Sequence, residues 1–115
     1  MSWKNMNVAQ INTGFQRTVA WEANIQLTSA GESDWIIVPD NVDGVQVQVS
    51  FTGGGSGKIQ ATLSPVATIK SGSPVPEDWD FGEVSTTIIE SCEPVSALRA
   101  VQINAGAMTI NMRAQ

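Results

Sequence analysis

Apolar and polar residues alternate one by one through four separate stretches of this chain. Val19, Trp21, Ala23, Ile25 and Leu27 share one parity, while Thr18, Glu22, Asn24, Gln26 and Thr28 fill the other. Val45, Val47, Val49 and Phe51 alternate with Gln46, Gln48, Ser50 and Thr52. The same pattern recurs at Ile59, Ala61 and Leu63, and again at Met108, Ile110 and Met112. Successive side chains of a strand point to opposite faces, so a two-residue period puts one face in a core and leaves the other wet. No stretch shows the three-to-four-residue apolar stripe of an amphipathic helix. The chain is predicted to be all-β.

The punctuation between these stretches agrees. Gly53-Gly54-Gly55-Ser56-Gly57 links the second and third as a hairpin connection. Asn104-Ala105-Gly106 is a tight turn before the last strand. Further strands are expected over Asp34 to Val38, over Glu83 to Ile89 and over Ala97 to Ile103. In the last of these the parity is mixed, which predicts a bulge or a change of environment near Ala100. A helical turn around Pro76-Glu77-Asp78-Trp79 is the most helix expected. The reading is a β-sandwich or jelly roll of about seven or eight mostly antiparallel strands.

A length of 115 residues suits one domain. Residues 18–115 are read as a single sandwich domain, and residues 1–17 as an N-terminal arm or a first strand. Trp3, Met6, Val8, Ile11 and Phe15 are the candidate contacts of such an arm with a neighbouring subunit.

Only 15% of residues are charged, an unusual economy beside the many Gln, Asn, Ser and Thr. Charged groups are expensive to desolvate, so this composition suits a surface held against other protein. The 6 basic residues, against 11 acidic ones, are scattered, and no direct contact with nucleic acid or with an anionic membrane is expected. No apolar run approaches the roughly 20 residues that span a bilayer as a helix. Met1 to Asn7 lacks the apolar centre of a signal peptide, so export by that route is not expected.

The search for chemistry yields little. The sequence contains no histidine and one cysteine, Cys92, which removes the usual zinc sites and any Ser-His or Cys-His nucleophile within the chain. No catalytic, metal-binding or cofactor-binding residues are assigned. Asp40, Asn41 and Asp43 could offer oxygens to calcium, but their spacing reads better as a turn. Glu77, Asp78, Asp80 and Glu83 surround Trp79 and Phe81. This pattern is read as an acidic loop held by its aromatic residues, with Trp79 and Phe81 as candidate glycan or interface contacts. Arg99 lies beside core positions, where an unpaired guanidinium is costly, so one reading gives it a carboxylate partner, Glu83 first, with Glu90 and Asp80 as the other candidates; the other reading is an exposed edge-strand cation that keeps sheets from pairing edge to edge. Glu90 and Glu93 flank Cys92 and should hold its thiol protonated.

Val84-Ser85-Thr86-Thr87-Ile88, Pro94-Val95-Ser96-Ala97-Leu98-Arg99-Ala100-Val101 and the closing Met108-Thr109-Ile110-Asn111-Met112 carry a resemblance. Over its last half the chain resembles the small β-sandwich structural proteins of tailed-phage virions. The resemblance implies a capsid decoration or cement protein, located in the virion, in contact with the major capsid protein or another virion protein. It also implies a homo-oligomer, with a trimer favoured. A tail or fibre component, or a carbohydrate-binding sandwich, remains the alternative.

Overall fold

A computed structural model describes residues 3–11, 19–40 and 42–115. Its strands are β1 (Trp3–Asn5), β2 (Asn7–Ile11), β3 (Val19–Leu27), β4 (Gly31–Glu32), β5 (Trp35–Ile37), β6 (Val45–Thr52) and β7 (Gly57–Thr62). One short helix, α1 (Val66–Lys70), precedes β8 (Glu77–Asp78), β9 (Ile88–Cys92), β10 (Ala97–Gln102) and β11 (Ala107–Ala114). One sheet runs β1-β5-β10-β7-β8, with β4 also paired to β10; the other runs β2-β3-β11-β6-β9. Among the described residues all strand pairings are antiparallel except β1 with β5. The all-β sandwich reading holds.

The alternating stretches build the core as their parity requires. In the second sheet, Ile110 of β11 sits between Ile25 and Val49, and Met112 between Ala23 and Val47. These side chains meet Ile36, Ile59, Leu98 and Ala100 from the first sheet in one buried cluster. At ~25 cal/mol per Å² of apolar surface removed from water, this interior is the main source of stability.

Several local expectations are corrected. β1, β4 and β8 span two or three residues each, too few to display a period, and among the described residues they lift the number of strands above the expected seven or eight, whereas β5 falls inside the strand expected over Asp34 to Val38. The expected strand from Glu83 to Ile89 is displaced to Ile88–Cys92. The segment before it crosses between sheets: Val84 exchanges backbone hydrogen bonds with Gly57 of the first sheet, while Ile88 pairs with Val49 of the second. No helical turn forms at Pro76 to Trp79, because Glu77 and Asp78 extend the sheet beside Ala61 and Gln60. The helix forms instead after Pro65 and ends before Gly72, whose φ of 90° suits glycine.

No bulge interrupts β10, which pairs with β7 in continuous register from Ala97 to Gln102. Its mixed parity reflects the other expectation, a change of environment. Leu98 and Ala100 face the main core, whereas Ala97 packs outside with Trp35, Ile37 and Ile69 of α1 in a second buried cluster. A strand covered on both faces shows no alternation.

Residues 3–11 use their main chain within the molecule's own sheets, β1 in one and β2 in the other. Met6, between them, is 4% exposed and belongs to the core. Its assignment as a partner contact is therefore corrected: the chain changes sheets at this residue, which turns it inward. Trp3 and Val8 stay exposed. Ile11 ends β2, and Phe15 lies outside the described residues.

Candidate functional site

Strands β1 and β2, joined through Met6, close one end of the sandwich, and at the other end the edge strands β8 and β9 stand apart. Between them opens a cleft of about 840 Å³. Its apolar wall includes Trp79, Phe81, Leu63, Val75 and Val95, and Glu77, Asp78, Asp80 and Glu90 supply the acids. Trp79 continues the β8 pairing by donating its backbone N–H to the Ile59 carbonyl at 3.0 Å. The Gly82 N–H returns to the Trp79 carbonyl at 2.9 Å, and a φ of 65° at Gly82 makes that turn. This local geometry sets Trp79 and Phe81 edge to face, with centroids 5.6 Å apart. Both rings also pack against the main core.

Of the four acidic residues grouped by sequence, three line this cleft, and Glu83 does not. Glu83 instead accepts a 2.9 Å hydrogen bond from the Ser56 hydroxyl, and Ser56 accepts one of 2.8 Å from Asn104. The proposed Arg99–Glu83 ion pair is corrected accordingly. Arg99 pairs with Glu32, and its Nε donates to Gln60 Oε1 at 2.8 Å. Its guanidinium also lies 4.6 Å from the centre of the Trp35 ring. The reason is parity: Arg99 projects from the outer face of its sheet, where β4 supplies Glu32 and β7 supplies Gln60.

The polar chain continues across that face. Gln60 donates to Asp78 Oδ1 at 2.9 Å, and Lys58 donates to Asp78 Oδ2 at 2.9 Å. The hydrogen bonds from Gln60 and then Lys58 hold the Asp78 carboxyl below its ordinary pKa. The Cys92 thiol, which also lines the cleft, is pushed up, first by burial and second by Glu93. Of the candidate calcium-binding segment, Asn41 lies outside the described residues, and the Asp43 and Gly44 N–H groups both donate to the Gln115 carbonyl. Among the described residues no group of three or more Cys, Asp or Glu side chains is placed to hold a metal ion.

The outer face of the second sheet is different in kind. Register stacks Gln26, Thr109 and Ser50 in one row, Asn24, Asn111 and Gln48 in the next, and Glu22, Arg113 and Gln46 in a third. Asn24 donates to Asn111 at 2.6 Å within this grid. Sequence reasoning recorded each polar half-strand, but the grid needs the strand order β3-β11-β6.

These features define a two-sheet β-sandwich with one open end and one amide-rich face. No protein-family model and no curated protein matches the chain. Among solved structures it is similar to an oxalate oxidase, with a TM-score of 0.53 and 10% identity over 83% of this chain. The chain spans 41% of that enzyme's length. It is also similar to the SPBc2 prophage-derived protein YomS, with a TM-score of 0.53, 14% identity, and coverage of 84% of this chain and 95% of YomS. A third similarity is to a Bacillus endospore appendage, a disulfide-linked pilus, at a TM-score of 0.50, 19% identity, and coverage of 95% and 97%. At these identities the likeness is one of fold.

Proposed function

We propose that this chain is a non-catalytic structural subunit of a larger protein assembly, with a phage virion as the setting. The observation that carries the reading is the grid on β3, β11 and β6. Its nine positions hold one acid and one base, Glu22 and Arg113, directly opposite in register. A face of amides and hydroxyls loses little on desolvation when each of its groups finds a new hydrogen-bond partner on the facing protein. The similarity in fold to a prophage-derived protein and to a pilus subunit supports the same reading, as does a sequence without histidine. Capsid decoration over the major capsid protein, as a trimer in the virion, is the finer form of the proposal; a tail or fibre position is the alternative form.

Co-sedimentation of the purified chain with separated heads and tails of the phage that carries its gene tests this. Retention on heads that is lost on Asn111→Lys supports decoration, and retention on tails supports the alternative. Retention on neither refutes the reading. The cleft favours one other function, carbohydrate binding, because Trp79 and Phe81 lie beside carboxylates that accept hydrogen bonds from hydroxyl groups. A glycan-array signal that disappears on Trp79→Ala would establish it.

A further inference from the structure

Each pair of sheet edges carries charge of one sign. On edge strand β1, Lys4 pairs with Ile36, a core residue, so an exposed ammonium occupies an inward-facing position. Lys70 lies beside the same edge, with Nζ 4.3 Å from the centre of the Trp3 ring. On the opposite edge, Glu90 of β9 pairs with the core residue Val47, and an exposed carboxylate again occupies an inward-facing position. Glu90 lines the cleft together with Glu77 and Asp80, and no lysine or arginine is among the described lining residues. Among the described residues, neither Lys4 nor Lys70 forms an ion pair with a carboxylate.

Inward-pointing charges on edge strands prevent edge-to-edge pairing. Here the signs differ, which changes the consequence. Two lysine edges repel, and so do two acidic edges, but a lysine edge and an acidic edge attract. Exposed apolar residues accompany both: Trp3 and Val8 at the first, and Leu63 and Val75, 77% and 75% exposed, at the second. We infer that copies of this chain join head to tail, with the β1–β2 end of one seated against the β8–β9 cleft of the next. The occupant of the cleft is thus a second copy, held by lysine–carboxylate pairs around apolar contacts. Such a heterologous contact makes a ring when the rotation per step closes and a filament when it does not. The inference rests on the structural-subunit reading and specifies its joint.

Analytical ultracentrifugation of the full chain tests it with two double variants, Lys4→Glu/Lys70→Glu and Glu77→Lys/Glu90→Lys, whose folding is checked by circular dichroism. Each variant alone should self-associate at least about tenfold more weakly than wild type, because like charges then face each other across the joint. An equal mixture should associate again, since each variant supplies an end complementary to one on the other. Wild-type association should also weaken as salt rises, a readout that needs no variant. A variant that assembles as wild type does, or a mixture that stays monomeric, overturns the inference. A wild-type monomer that still co-sediments with phage particles overturns the joint and leaves the subunit role intact. A monomer that binds glycans through the cleft overturns both.

Discussion

Arg99→Ala should destabilise the fold by about 3 kcal/mol, and the contributions can be worked separately. Arg99 is 8% exposed and makes three contacts, so truncation leaves three groups altered. The 2.8 Å hydrogen bond to Gln60 has a charged donor and contributes about 1.5 kcal/mol. That is the lower end of the usual range, because half-buried Gln60 can turn to water. The guanidinium over the fully buried Trp35 ring contributes about 1 kcal/mol. The pair with Glu32, whose side chain is 54% exposed, contributes only about 0.5 kcal/mol. The order matters more than the sum. Glu32→Ala should cost about 0.5 kcal/mol, and Arg99→Met should lie between the two because its stem still covers the indole. Guanidinium denaturation followed by tryptophan fluorescence gives all three values. For a chain of this length the Arg99→Ala melting midpoint should fall by on the order of 10 °C. If Glu32→Ala costs as much as Arg99→Ala, or if Arg99→Ala lies within about 1 kcal/mol of wild type, the assignment of stability to the buried contacts is refuted.

Two further outcomes follow from single sites. A methyl group added at Gly57 would lie 2.6 Å from the Val101 carbonyl oxygen and 2.6 Å from buried Met108 Sδ, so Gly57→Ala should cost about 1–3 kcal/mol by chemical denaturation. The same substitution at Gly55, which has no contact closer than 3.5 Å, is the control and should cost less. Asp78 has a lowered folded pKa, so its contribution to holding β8 is complete above the unfolded value of about 3.8 and is lost as pH falls through the folded value. Asp78→Asn should therefore flatten the acid side of a denaturation-midpoint profile while leaving its neutral side parallel to wild type; an unchanged acid side would show that the carboxylate is not linked to folding.

Much of the architecture was readable from residues alone. Parity in β3, β6 and β11 named the core-facing side chains Ile25, Val49, Ile110 and Met112, because a two-residue period records which face is buried without reference to any partner. Trp79 and Phe81 were also found, from an acidic loop that contained two aromatic residues, and the structure places both in the cleft. The rest depended on which strands became neighbours. Nothing local to Arg99 indicates Glu32 over Glu83, since β4 reaches it only by pairing with β10. Met6 looked like part of a free arm because three-residue strands carry no period, and its burial follows from the chain changing sheets there.

The amino-acid order by itself determined that this chain is all-β and which half of β3, β6 and β11 is buried, because alternation is a property of the extended backbone. Only the tertiary structure decided the partner of Arg99, the double burial of β10, the open cleft, and the opposite charges of the β1–β2 and β8–β9 ends of the sandwich. Those depend on sheet order and register, which are set by contacts between segments far apart in the chain.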